Sequence, residues 1–179
     1  MSTQFDPEVH LLRLSAEPLA LKSVLQRLNQ TMQRDHLVQE TTDGLRRFLQ
    51  VDRVLLYRFY SCWEGQVTFE SLSDRSLSIL GSTGPDQCFN DEYAALYLAG
   101  RVRAIANIEA EPIQPCHRDF LRYLQVQANL VVPILTPDLW GLLAAHHCQS
   151  PRAWSEADIE QMSAAALTLA SAPSIQTSR

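Results

Sequence analysis

Two cysteines give this chain its sharpest chemical possibilities: Cys116, in the run PCHRDF, and Cys88, in GPDQCF. Cys116 follows a proline and opens a helical pattern. At a helix start the unpaired amide N–H groups and the positive end of the macrodipole favour a thiolate, the nucleophilic form of cysteine. The chemistry that follows is covalent attachment or thiol catalysis. His117 is a poor base for its neighbour, because successive residues point in different directions and a thiol and its base usually come from separated parts of a chain. It is better suited to touch whatever Cys116 holds. Against this stands the commonest role of a cysteine beside an apolar helix, that of a small buried hydrophobe. Cys88, Cys116, His117 and Cys148 are spaced like no zinc finger or ribbon. His146 and His147 end an apolar strand, so one faces the core and the other the opposite side. Either of them, paired with Cys116, would make the chain a thiol enzyme.

The elements that must position these groups follow from periodicity. Leu21, Leu25, Leu28 and Met32 recur at helical spacing in a segment from Pro7 to Met32. Asp35 caps a second helix to about Gln50, with Leu37, Val38, Thr41, Leu45, Phe48 and Leu49 as its buried face. VDRVLLYRFYS and QVTFESLS alternate and are rich in β-branched and aromatic residues, and they read as a hairpin. From Ser73 to Gln114 the pattern breaks up around GSTGPD, with one short helix in NDEYAALYLAG stopped by Gly100. A long irregular segment in a compact domain is where a ligand is expected. A helix from about His117 to Gln127 follows, then strands ANLVVPIL and LWGLLAAHHC joined around Thr136, Pro137 and Asp138. Ser155 with Asp158 makes a capping box, and Ile159, Met162, Ala166 and Leu169 give the last helix its apolar face. The order predicts an α+β fold, an antiparallel sheet flanked by helices.

Composition bounds the function. The chain has 179 residues, 46% hydrophobic and 20% charged, with a net charge of −5. That suits one domain with a full core, and the absence of a Lys/Arg cluster argues against a nucleic-acid partner. No apolar run approaches the roughly 20 residues of a membrane span, and no secretory pattern follows Met1, so a cytoplasmic location without membrane contact is expected. In a reducing compartment Cys62, Cys88, Cys116 and Cys148 read as free thiols rather than a disulfide framework.

DQCF at Asp86 to Phe89, GRVRAI at Gly100 to Ile105, CH at Cys116 and His117, ANLVVPI at Ala128 to Ile134 and WGLLAAHH at Trp140 to His147 occur in one order and spacing. Together they resemble the bilin-binding GAF domains of cyanobacteriochromes, in particular the dual-cysteine subgroup named for the tetrapeptide DXCF. The resemblance covers residues 20 to 172, leaving residues 1–19 as a helical extension and 173–179 as a tail. It implies a six-stranded antiparallel sheet between helices and a covalently held linear tetrapyrrole, phycocyanobilin or phycoviolobilin. Cys116 would form the thioether to its A ring, with His117 near the pyrrole rings, Asp86 on the pyrrole N–H groups and Arg101, or else Arg103, on a propionate. Phe89, Tyr123 and His146 would also contact the chromophore, His146 beside the D ring. Tyr57, Tyr93 and Tyr97 can also reach such a pocket, although amphipathic aromatics more often complete a core or its rim.

Cys88 would add reversibly to the central methine bridge, so that light switches the domain between a blue-absorbing and a teal or green-absorbing state by isomerisation between the C and D rings. The resemblance further implies a sensor without substrate turnover, an output module elsewhere in a longer chain, of histidine kinase or chemotaxis type, and terminal helices able to pair in a homodimer. A GAF domain that binds a diffusible ligand such as a cyclic nucleotide is the competing reading; it leaves the paired thiols without a role.

Overall fold

The computed structural model describes residues 21–61, 64–84 and 91–178. Asp86, Cys88 and Phe89 lie outside the described residues, as do Cys62 and the part of the first helix expected before residue 21. The elements run α1 (residues 21–32), α2 (His36–Leu49), β1 (Arg53–Ser61), β2 (Glu64–Leu72), α3 (Asp91–Leu98), β3 (Arg103–Ile105), α4 (Pro115–Tyr123), β4 (Ala128–Leu135), β5 (Leu139–His147), α5 (Glu156–Ala170) and α6 (Pro173–Gln176). The five strands form one antiparallel sheet in the order β2-β1-β5-β4-β3.

Alternation along the strands sends successive residues to opposite faces. Val54 and Leu56 of β1, Leu130, Val132 and Ile134 of β4, and Leu143 and Ala145 of β5 join the core under the helices. Met32 of α1, Val38, Leu45 and Leu49 of α2, and Met162, Ala166 and Leu169 of α5 fill it from above. Leu55, Val131 and Ala144 point the other way, toward α3. Ile105, Leu121, Leu124 and Val126 make a smaller cluster under α4.

Local signals were read correctly where they were strong. Asp35 caps α2 by accepting from the N–H groups of Leu37 and Val38, and Ser155 with Asp158 forms the full capping box of α5. Gly100 ends the α3 segment with φ of 89°, a conformation that costs a glycine little. Other details differ. The buried face of α2 uses Thr42, fully buried with its hydroxyl donating to the Val38 carbonyl, rather than Thr41, and Phe48 is 53% exposed. A turn of 100° per residue places Val38, Thr42, Leu45 and Leu49 on one stripe and carries Phe48 to its edge.

The helix expected over His117 to Gln127 begins at Pro115 and ends at Tyr123. Gln125 takes a left-handed φ of 58°. The Val126 N–H then donates to Leu121 and the Gln125 N–H to Arg122, a Schellman stop that buries Val126 against Leu121.

The sheet has five strands among the described residues, not six. The segment that would extend the β2 edge pairs at a single bridge among the described residues, Gln66 with Thr83. β3 is three residues long and paired only to β4, too short to announce itself by alternation. Residues 173–178, expected as a tail, fold against the core: Ile175 is fully buried, and the Trp140 indole N–H donates to the Ser178 hydroxyl. No helix among the described residues is long and apolar enough to cross a membrane.

Candidate functional site

The face of the sheet turned away from α2 and α5 is the floor of a cavity of about 410 Å³, within the usual range of small-molecule pockets. Register builds that floor in rows across β1, β5 and β4. Leu55, Ala144 and Val131 form one row, Tyr57, Leu142 and Pro133 the next, and Arg53, His146 and Asn129 a polar third. Ala144, at the centre, leaves the depth that a larger side chain would fill. His117, Phe120 and Leu121 of α4, with Leu124 just past its end, form one wall, and Tyr93 and Tyr97 of α3 with Arg101 and Arg103 form another.

Tyr57 pins a third side. Its hydroxyl accepts from the Gly84 N–H at 2.8 Å, and a Cβ at Gly84 would lie 2.7 Å from that oxygen. Glu70 holds the same loop lower down, accepting from the Ser78 hydroxyl and from the Ile79 N–H at 3.0 Å. The residue types favour core or rim over pocket for Tyr57, Tyr93 and Tyr97, yet all three line the cavity. Tyr123 does not. It is 82% exposed on the outer side of α4, because the register of that short helix turns Phe120 and Leu124 inward instead.

The two arginines are not equivalent. Arg103 is paired with Glu111 at 2.7 Å. Arg101 has no carboxylate partner among the described residues and lies over the rings of Tyr93 and Tyr97, with its guanidinium carbon 5.6 and 6.0 Å from their centroids. An arginine in that setting keeps its planar donor fork available to an anion. Burial pushes the Tyr97 phenol up to about 12, against the pull of Arg101 and Arg103, so it stays neutral. Burial, assisted by the charge of Arg103, lowers the pKa of His117.

His146 is 4% exposed. Burial first, and then the charge of Arg53, hold its pKa well below the ordinary histidine value. Asn129, directly across from it on β4, has its Oδ1 buried without a hydrogen-bond partner among the described residues, an arrangement that costs about 1–3 kcal/mol unless a ligand donor meets it. The other histidine of the pair, His147, faces away and contacts the Ser150 carbonyl at 2.7 Å.

Cys116 sits in the first turn of α4, inside the helix rather than ahead of it, and is exposed. Its sulfur is disulfide-bonded, where a free thiol was expected; the cysteine count cannot reveal which sulfurs the fold brings within bonding reach. Cys148 is a free thiol, its pKa raised by burial. No group of three or more His, Cys, Asp or Glu side chains suited to a metal occurs among the described residues.

Residues 33–172 match the model of the GAF domain family. The chain belongs to that family. This GAF domain is 51% identical over 152 residues to an uncharacterised protein of Picosynechococcus, across 84% of this chain and 93% of that one. It is 36% identical to a putative methyl-accepting chemotaxis protein of Synechocystis, across 78% of this chain and 14% of that protein. With the circadian input-output histidine kinase CikA of Synechocystis it shares 30% identity across 88% of this chain and 24% of the kinase. The chain therefore spans less than a quarter of those two signalling proteins.

Among solved structures, the blue-light absorbing form of the Thermosynechococcus elongatus PixJ GAF domain superposes with a TM-score of 0.68 at 33% identity, over 78% of this chain and 84% of that one. The phycocyanobilin-bound GAF domain of a cyanobacterial phytochrome gives 0.69 at 30% identity, over 88% and 94%. The relatives of this GAF domain are thus photoreceptor domains of the cyanobacteriochrome and phytochrome type, some of them solved with linear tetrapyrroles bound.

The cavity residues fit such a group. A linear tetrapyrrole is long, mostly apolar, rich in N–H donors and carries two propionates. The floor is apolar at Leu55, Val131 and Ala144, Arg101, unpaired with a carboxylate among the described residues, matches a propionate, and the buried Asn129 Oδ1 matches an N–H donor.

Proposed function

We propose that this GAF domain is a light sensor that carries phycocyanobilin or phycoviolobilin covalently on Cys116. The observation that carries the reading is the cavity itself: an apolar floor, an arginine with no carboxylate on it among the described residues, a neutral buried histidine and an amide oxygen that none of those residues meets, next to the helix turn that bears Cys116.

The roles of the chain follow from chemistry. A cellular dithiol first reduces the disulfide at Cys116 and is itself oxidised. The Cys116 sulfur would then add to the exocyclic double bond on ring A. A carbon–sulfur bond forms, the alkene π bond is lost, the thiol proton ends on carbon, and no further oxidant is needed. Arg101 holds a propionate, while His117, with its proton affinity lowered by burial, packs beside the rings as a neutral side chain. Asp86 and Phe89 complete the contacts, as their motif implies, and a carboxylate at Asp86 favours the protonated pigment.

The bound bilin supplies light absorption and an isomerisable double bond between its C and D rings. Cys88 supplies a second, reversible thioether that interrupts conjugation, giving a blue-absorbing dark state and a teal or green photoproduct. The signal passes to an output module of histidine kinase or chemotaxis type in a longer chain.

Protein co-produced with phycocyanobilin and purified under reducing conditions tests this reading by its absorption before and after blue light. A blue state that converts to teal or green supports both cysteines. Photoconversion without a blue state removes Cys88 from the cycle. A colourless protein overturns the photosensor and returns the cavity to a diffusible ligand. Cys116→Ala is expected to lose all pigment that survives acid denaturation.

A further inference from the structure

Arg53 is fully buried on β1, where a charge is costly unless it is tied down on every side. Its Nη2 donates to the Leu124 carbonyl at 2.9 Å, its Nη1 to the Leu77 carbonyl, and its Nε to His146 Nδ1 at 3.1 Å. The first two bonds join the end cap of α4 and the loop after β2 to the floor of the cavity. The third has a chemical consequence.

A guanidinium has five N–H donors, no acceptor, and does not lose its proton inside proteins. The Nδ1 of His146 must therefore be the acceptor, and in a neutral imidazole the proton must then sit on Nε2. A doubly protonated ring is excluded by the same contact, since it would place two cations in a buried site and leave the Arg53 N–H without a lone pair. His146 lines the cavity, and Nε2 is the ring nitrogen left to face it. We infer that Arg53 is a positioning residue that locks His146 as the Nε2–H tautomer, so that the ring is already fixed as a neutral hydrogen-bond donor before any ligand arrives.

The surroundings support a lock rather than a switch. Just before β1, Asp52 is occupied by the Cys148 N–H at 2.7 Å and the Gln149 side chain at 3.0 Å. From β2, Glu70 accepts from Ser78 and Ile79. From β4, the residue facing His146 is the uncharged Asn129. Cys148, after β5, is a thiol whose ionisation is suppressed by burial. The other charged or titratable groups lining the same cavity, among the described residues, are His117, Tyr57, Tyr93, Tyr97, Arg101, Arg103 and Glu111. None of the contacts described supplies His146 Nδ1 with a proton acceptor that would favour the opposite tautomer.

The identity of the ligand rests on the photosensor reading, whereas the tautomer does not. Protein labelled with 15N in its histidine rings, without bilin, is examined by long-range 1H–15N correlation, with His146→Gln used to assign the signals. An unprotonated Nδ1 and a protonated Nε2, unchanged from alkaline to mildly acidic conditions, are expected; a protonated Nδ1 or a charged ring overturns the inference. Arg53→Met removes the donor and is expected to give mixed tautomers, with Arg53→Lys restoring the single one. A single Nε2–H tautomer persisting in Arg53→Met would show that Arg53 does not set it, and should that variant fail to fold, the wild-type spectrum still decides.

Adding phycocyanobilin is expected to shift the Nε2–H proton downfield as it finds a carbonyl partner. A protein that shows the tautomer yet takes up no pigment leaves Arg53 in its role and overturns the photosensor instead.

Discussion

The two faces of the sheet are made by the same strands and serve opposite ends. Under α2 and α5, Val54, Leu56, Leu130, Val132, Leu143 and Ala145 meet a continuous layer of apolar side chains. One residue along, Leu55, Asn129, Val131, Ala144 and His146 face a cavity crossed at one end by a polar row that Arg53 completes. The contrast teaches that stability and binding are divided by parity along each strand. The filled face gains about 1.5–3 kcal/mol for each large apolar side chain it hides. The open face forgoes part of that gain to keep a shaped, chemically addressed space.

The sharpest way to break this division is to empty the filled face. Leu143→Ala is expected to destabilise the domain by about 2–5 kcal/mol, since the fully buried side chain leaves a hole that helices and strands cannot close. Urea unfolding measures it, and a loss below about 1 kcal/mol would mean that the layer under the helices is far looser than described.

Acid should come next, acting only on the open face. His146 and His117 both have pKa values lowered from 6.5, so the unfolded chain binds more protons than the folded one below that pH. Stability should be level above about pH 6.5 and fall as the pH drops, by about 1.4 kcal/mol for each pH unit per histidine that remains neutral in the fold. The urea midpoint, followed downward and kept above the carboxylate range, reports this. His146→Gln should flatten the slope, and an unchanged slope would place the acid sensitivity elsewhere.

The finest probe uses two neighbours. Ala145, on the filled face, has no exposed surface, and Ala145→Leu should overpack it at a cost of about 1–3 kcal/mol. Ala144→Leu points into the cavity and should change stability by less than about 1 kcal/mol, while cutting ligand uptake by at least about tenfold, or 1.4 kcal/mol. Equal effects of the two substitutions on stability would erase the distinction between the faces.

Much of this arrangement was legible before any coordinates. The capping box of α5 and the Asp35 cap of α2 are local pairs three residues apart or fewer, and alternation in β1, β4 and β5 names both faces. What escaped was short or distant. β3 holds three residues, too few for a period. Tyr123 and Tyr57 are the same residue type in similar apolar settings, yet one is exposed and the other clasps Gly84, because the choice depends on how α4 and the loop after β2 dock.

The sequence by itself determined the fold class, the resemblance to bilin-binding GAF domains and the cysteine, arginine and histidine types available for chemistry, because periodicity, caps and motifs are written within a few residues of one another. Only the tertiary structure decided that Arg103, and not Arg101, is paired with a carboxylate among the described residues, that Tyr123 stands outside the cavity, and that Arg53 reaches His146 across 93 positions of sequence. Those outcomes depend on strand register and on which helix covers which face. Register and docking minimise the energy of the whole chain, and no short stretch of residues carries that information alone.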